Sequence, residues 1–243
     1  TALTGSPLGN ATTGFFAPDA AGTYFSTTSF AGDSIYEPSS GAAAVTVTKR
    51  PTSLAVSQVT VPFGAQFNAR AILTDVNKST TLPNQTVTFL FEGNIIAAVT
   101  DSFGVAVVAY TAPTQVGNYN ITAAYAGDGL YQSINGGAIV NVTKHNTAMS
   151  RTDVNTFIEY NFKAQTTLTD KDSNDGAIPG KTVKIQFGAV TTSSTTNNSG
   201  VGAAFFTAPS SLGISSFRST FDGDSSYFAS STDSVVTVDR RPT

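Results

Sequence analysis

Oxygen ligands crowd one stretch of this sequence: Asp170, Asp172, Asn174 and Asp175 fall within the string TDKDSNDGAIPG. Calcium takes several oxygens from alternating loop positions, and Asp-x-Asp-x-Asn is how such a loop begins. Glycine stands at the seventh position and not the sixth, and Lys181 occupies the place of the closing bidentate glutamate. The four residues are candidate calcium ligands, and the competing reading is a solvated turn. The matching loop earlier in the chain keeps only Asp75 and Asn77.

Other chemistry has little to work with. The single histidine, His145, stands where Arg50 and Arg241 stand in the neighbouring copies of a repeat described below, which reads as a polar linker position. No Gly-x-Ser-x-Gly elbow, phosphate-binding loop or His-Glu-x-x-His helix occurs. Paired carboxylates would suffice for glycoside hydrolysis, but no spacing singles out such a pair. The expectation is a protein that is not an enzyme and holds no cofactor beyond calcium. Asn10, Asn77, Asn84, Asn120, Asn141 and Asn197 each begin an Asn-x-Ser/Thr sequon, the acceptor for N-glycosylation. Asn120 and Asn141 fall on the outward phase of their strands and Asn84 in a turn, where a glycan or solvent fits equally.

Composition narrows the partners. Of 243 residues 40% are hydrophobic but only 12% charged, with a formal net charge of −3 and no cysteine. Sparse charge with abundant Ser, Thr, Asn and Gly suits short strands and turns better than surface helices, so the expected fold class is all-β. Nucleic acid is excluded as a partner because nothing clusters Lys and Arg against phosphates. No apolar run is long enough to span a bilayer. The absence of cysteine removes disulfides and thiolate metal sites.

The elements that must position any site come in copies. Gly9, Gly104 and Gly200 recur, as do Ala17-Pro18, Ala112-Pro113 and Ala208-Pro209, each set spaced by 95 and then 96 positions. The copies close on VTVTKRPT from Val45, VNVTKHNT from Val140 and VTVDRRPT from Val236. A period this long is a domain and not a solenoid unit. In the middle copy apolar residues alternate: Leu54 and Val56; Phe67, Ala69, Ala71 and Leu73; Val87, Phe89 and Phe91. NIIAAVT follows, then Val105, Val107 and Ala109, then Tyr119, Ile121, Ala123 and Tyr125, and last Ile139 or Val140 with Val142. Turn-forming strings separate them, which predicts about seven strands in an antiparallel β-sandwich.

The string Gly-x-Tyr-x-Ile-x-Ala-x-Tyr-x-Gly-Asp-x-x-Tyr from Gly117 to Tyr131, followed by a Val-x-Val-x-Lys strand, resembles the tandem bacterial Ig-like repeats of cell-surface, adhesin-like and surface-layer or filament proteins. The third copy departs from it with Ser215 and Phe221 in place of the tyrosines. The resemblance implies an extracellular or cell-surface location. It also implies partners that are neighbouring Ig-like modules, copies of the same chain, or a glycan or surface protein. A covalent Lys–Asn staple, the other chemistry such domains imply, finds in the second copy only Lys78, in a loop, and Lys144, at the junction; the third offers Lys163, which faces outward beside Phe162 and Ala164.

Within the motif, Gly32-Asp33, Gly127-Asp128 and Gly223-Asp224 are expected to form turns, glycine accepting positive φ and aspartate bonding local amides. Tyr36, Tyr131 and Tyr227 are expected to lie over the sandwich end with their hydroxyls on backbone, as in a tyrosine corner. The expected domains are residues 1–50, the C-terminal half of a repeat, then the complete repeats 51–145 and 146–243. The half-repeat should expose Phe15, Tyr24, Phe30 and Val45. Three accounts fit it: an excerpt of a longer repeat protein, a half completed by another subunit, or a reduced sandwich. Short proline-bearing linkers favour a semi-rigid rod. The expected function is a structural segment of a stalk, surface layer or filament, the alternatives being an adhesin arm and an accessory part of a secreted hydrolase.

Overall fold

The computed structural model describes residues 10–242; Gly9, the first copy's member of the 95-residue glycine series, lies outside them. The first copy contributes the hairpin β1 (Gly22–Phe30) and β2 (Ser39–Val47). The second contributes β3 (Thr52–Val56), β4 (Val59–Pro62), β5 (Gln66–Asp75), β6 (Thr80–Thr81), β7 (Thr86–Phe91), β8 (Asn94–Val99), β9 (Val105–Thr111), β10 (Gly117–Tyr125) and β11 (Ile134–Thr143). The third repeats this series as β12 (Thr147–Ser150), β13 (Val154–Phe157), β14 (Asn161–Asp170), β15 (Gly176–Ala177), β16 (Thr182–Phe187), β17 (Val190–Thr195), β18 (Val201–Thr207), β19 (Gly213–Phe221) and β20 (Ser230–Asp239).

Each full copy is a two-sheet sandwich, with nine strands where about seven were expected. One extra strand is the two-residue β6 or β15. The other arises because the first strand divides: β3 pairs antiparallel with β5, then the chain crosses at Ser57-Gln58 and β4 pairs parallel with β11. The third copy does the same with β12 on β14 and β13 on β20. The expectation of purely antiparallel sheets is therefore corrected by one parallel pair per sandwich, which lets a single segment serve both layers. The remaining order is β11-β10-β7-β8 in one sheet and β20-β19-β16-β17 in its counterpart.

Alternation places the core. Phe67, Ala69, Ala71 and Leu73 point inward from β5, Val87, Phe89 and Phe91 from β7, and Ile121, Ala123 and Tyr125 from β10. On β9 the expected phase is reversed: Ala106, Val108 and Tyr110 are buried and Val107 faces out. Every residue from Val105 to Tyr110 is apolar or aromatic, so periodicity leaves the face undecided; Tyr110 decides it, its hydroxyl donating to the carbonyls of Phe89 (3.1 Å) and Asn94 (3.3 Å). By packing, the chain divides into two units. One comprises the residues up to Gln58 with Asn68–Tyr110 and Asn120–Ile139; the other comprises Val59–Phe67, Thr111–Tyr119 and Val140–Thr243. In the first copy Phe30, Val45 and Phe25 of the hairpin are exposed, as are Phe15 and Phe16 ahead of it, whereas Tyr24 is half-buried.

Candidate functional site at the junction residues

The Gly-Asp turn has one geometry in all three copies. Asp33 Oδ1 accepts the amides of Ile35 and Tyr36 at 2.8 Å each, Asp128 Oδ1 those of Leu130 (2.8 Å) and Tyr131 (2.7 Å), and Asp224 Oδ1 those of Ser226 (2.8 Å) and Tyr227 (2.9 Å). The preceding glycines hold φ of 83°, 77° and 80° at Gly32, Gly127 and Gly223. A methyl group at Gly127 would meet backbone atoms of Tyr131 and Ser133 at 2.8 Å, so the turn closes too tightly for a side chain. Burial raises the Asp224 carboxyl pKa, but the Lys181 hydrogen bond and the two turn amides outweigh it and hold the group below 3.8. Asp128 is likewise lowered, burial being outweighed by its turn amides.

The closing tyrosines do not make the expected corner. Tyr131 lies under the Arg50 guanidinium at 5.5 Å, and Tyr227 under Lys181 Nζ at 5.1 Å and edge-on to His145 at 6.0 Å. The hydroxyl-to-backbone bond belongs instead to the first tyrosine of the motif: Tyr24 donates to Ala20 O at 2.9 Å and Tyr119 to Gln115 O at 3.0 Å. Both reach back four residues along the chain, the geometry of a tyrosine corner.

Arg50 and His145, read from the sequence as linker positions, are built into the fold. Arg50 N donates to Leu130 O (2.8 Å) and Arg50 O accepts from Gln132 N (2.9 Å), a one-residue parallel bridge beside Tyr131. His145 repeats it with Ser226 O (3.0 Å) and Phe228 N (2.9 Å) beside Tyr227. The Arg50 side chain pairs with Asp75, which is fully buried. His145, itself buried, sets Nδ1 at 2.9 and 2.8 Å from the two carboxylate oxygens of Asp170 and Nε2 at 2.9 Å from Phe63 O. Burial pulls the imidazole pKa down, while the Phe63 carbonyl and Asp170 push it up and prevail, leaving it above 6.5. Arg241 repeats half the pattern, its Nε donating to Ile158 O at 3.2 Å and its guanidinium lying 4.9 Å over Tyr160. The missed signal was a constant offset, since Arg50 to Asp75 and His145 to Asp170 both span 25 positions.

The four candidate calcium ligands do not converge on one point. Asp170 turns inward to His145 and accepts the Asp172 amide at 2.9 Å. Exposed Asp172 accepts the Asn146 amide at 2.6 Å. Asp175 pairs with Lys171 at 2.7 Å, and Asn174 and Asp175 take the left-handed turn conformation with φ of 53° and 57°. Asp170 and Asp172 instead approach His145. Among the sequons, Asn10, Asn77, Asn84, Asn120 and Asn197 are exposed and Asn141 is half-buried on β11. Asn197 Oδ1 caps a turn by accepting the amides of Ser199 (2.9 Å) and Val201 (3.0 Å).

The class these features define is a tandem array of all-β, Ig-like sandwiches. Residues 54–143, within the second repeat, match the family model of the bacterial Ig-like domain (group 3). No curated protein matches the chain. Similar solved structures include the fibronectin(III)-like modules of Clostridium thermocellum CbhA, 17% identical over 77% of this chain and 95% of that one with a TM-score of 0.30. The Yersinia pseudotuberculosis adhesin InvE is 16% identical over 76% of this chain and 58% of that one, TM-score 0.32. The Escherichia coli adhesin FdeC is 14% identical over 96% and 88%, TM-score 0.32.

Proposed function

We propose that the chain is a non-enzymatic structural segment of a bacterial cell-surface stalk, surface layer or filament, in which Ig-like modules are joined into a semi-rigid rod. The observation that carries this reading is the repeated junction device. A residue at the end of one repeat's last strand is bridged by backbone to the next repeat's Gly-Asp-x-x-Tyr turn and pairs with that repeat's buried aspartate, at Arg50 and again at His145. Such fastening restricts a hinge more than a flexible linker does. No helix among the described residues is long and apolar enough to cross a membrane. Small-angle scattering of the purified chain tests the reading: a stiff, elongated profile is expected, and Arg50→Ala should broaden the distribution of lengths. A profile dominated by freely jointed modules in the unaltered chain defeats it.

The adhesin reading rests on a different observation. Phe187, Val190, Phe205 and Phe206, with Asn161 and Thr207, line an open cavity of about 380 Å³ in the third repeat. The second repeat has Asn94 and Ala109 where the third has Val190 and Phe205, and Phe205 is 73% exposed. An exposed ring beside amide and hydroxyl groups suits a sugar or a peptide side chain. Glycan-array binding that Phe205→Ala abolishes would favour this reading over the rod.

A further inference from the structure

The His145 site and its counterpart in the second repeat differ in a way that an ion pair alone leaves unexplained. Nε2 of His145 faces the Phe63 carbonyl at 2.9 Å, and a carbonyl oxygen only accepts, so Nε2 carries hydrogen. In a neutral ring Nδ1 is then a lone pair, yet it points at both oxygens of the buried Asp170 at 2.8 and 2.9 Å. This place needs a positive charge. The second repeat supplies it permanently with the Arg50 guanidinium against Asp75. Of the three side chains that meet here, two differ between the second repeat and the third: Arg50 gives way to His145, and Asn77, two positions past the buried aspartate, gives way to Asp172. The first change exchanges a fixed cation for a ligand nitrogen, and the second adds a carboxylate. A proton on His145 answers the first change only; a divalent cation answers both.

We propose that His145, Asp170 and Asp172 form a binding site for a divalent metal ion of the zinc class. Their ligand atoms lie within 4.8 Å of one another. His145 and Asp170 are buried and Asp172 is exposed, so water completes the coordination from the solvent side. The Phe63 carbonyl on Nε2–H is the outer partner that fixes tautomer and ring orientation in metal-bound histidines. The imidazole is also held by the Phe63 ring at 4.3 Å and the Tyr227 ring at 6.0 Å. Backbone amides engage one oxygen of each carboxylate, the Asp172 amide on Asp170 Oδ1 and the Asn146 amide on Asp172 Oδ2; Asp170 Oδ2 faces His145 Nδ1 at 2.8 Å, and Asp172 Oδ1 has only a long contact of 3.5 Å from the Asn146 side-chain amide, which an ion would displace. The neighbouring lysines are directed elsewhere: Lys181 pairs with the Asp224 carboxylate, Lys171 with Asp175, and Lys144 donates to the Asp224 backbone carbonyl. A nitrogen donor with two carboxylates suits zinc and its neighbours rather than calcium, which seeks more oxygens than this site holds. Bound metal would clamp the start of β12 to the end of β14 and to the turn after β4, all within the packing unit that contains the third repeat.

The test is thermal unfolding of the whole chain, stripped with EDTA and then titrated with Zn2+ alone at neutral pH. Zinc should raise Tm by several degrees, reversibly on re-adding EDTA. His145→Arg installs the second repeat's own residue, so it should fold and lose the zinc response. Asp172→Asn installs the counterpart of Asn77 and should weaken zinc binding at least tenfold by calorimetric titration without lowering the metal-free Tm. Two results overturn the site: no Tm change in the unaltered chain at a hundredfold zinc excess, which leaves a protonated imidazole as the only cation, or an equal response in His145→Arg.

Discussion

Gly200 separates two effects that a glycine substitution usually mixes. Gly200 and Gly188 both lie in the third repeat with positive φ, 72° and 58°. A methyl group at Gly188 would meet nothing within 4 Å, whereas at Gly200 it would lie 2.5 Å from Leu168 O and 3.2 Å from Ile178 N. Those atoms cannot yield: Leu168 N donates to Gly200 O at 2.9 Å, and Ile178 N donates to Leu168 O at 3.0 Å. Gly188→Ala therefore carries only the left-handed strain, about 1 kcal/mol. Gly200→Ala adds the displacement of packed backbone, roughly 2 kcal/mol more. Loss of unfolded-chain freedom is common to both and cancels in the difference. For a domain of this size each kcal/mol shifts Tm by about 4–8 °C, so the expected drops are about 4–8 °C for Gly188→Ala and about 12–24 °C for Gly200→Ala. Differential scanning calorimetry of the whole chain, following the transition of the third repeat, gives both values. The second repeat offers a replicate, since Gly104 is crowded by Thr81 Cβ at 2.7 Å and Leu73 O at 2.8 Å while Gly93 is open. If the crowded and open members of each pair lose equal stability, the close backbone approach is not what these glycines serve.

Two further expectations concern buried polar groups. Asp224 has a pKa held below 3.8, so its contribution is fully present above that value and disappears as pH falls through the lower folded-state value. Urea midpoints from pH 7 to pH 2 should therefore fall steeply below about pH 4, and Asp224→Asn should lower the neutral-pH midpoint while flattening that fall; an unchanged acid limb would refute the assignment. Tyr110→Phe removes a buried hydroxyl that serves two carbonyls and should cost about 1 kcal/mol in denaturant unfolding. The fold should survive, because Phe206 fills the same place in the third repeat.

What the sequence disclosed was local. Alternation across Phe67–Leu73 and Val87–Phe91 places the core because each residue's face depends only on its neighbours along the strand. The Gly-Asp turns were legible for the same reason, since Asp128 bonds residues two and three positions on. Alternation failed at Val105–Tyr110, where both faces are apolar and the outcome turns on carbonyls 16 and 21 positions away. It could not show the division of β3 from β4, because the parallel partner of β4 lies some eighty residues further on. His145 was read as a polar linker position for a similar reason: its partners, Asp170 and Phe63, are 25 and 82 positions distant. The tyrosine of the turn was assigned the hydroxyl bond that Tyr24 and Tyr119 make, because both tyrosines sit at a strand end and only the carbonyl within reach distinguishes them.

The bridge that each junction residue makes changes where one unit of this chain begins. Counted by its strands, a repeat starts at Pro51 or Asn146; counted by what its interior requires, it starts one residue earlier. Asp75, 0% exposed, has its counter-charge at Arg50, and a fragment cut at Pro51 would strand that carboxylate at a cost of about 3–5 kcal/mol. The self-sufficient segment thus runs from one junction residue to the one before the next, carrying with it the group that its own buried aspartate pairs with.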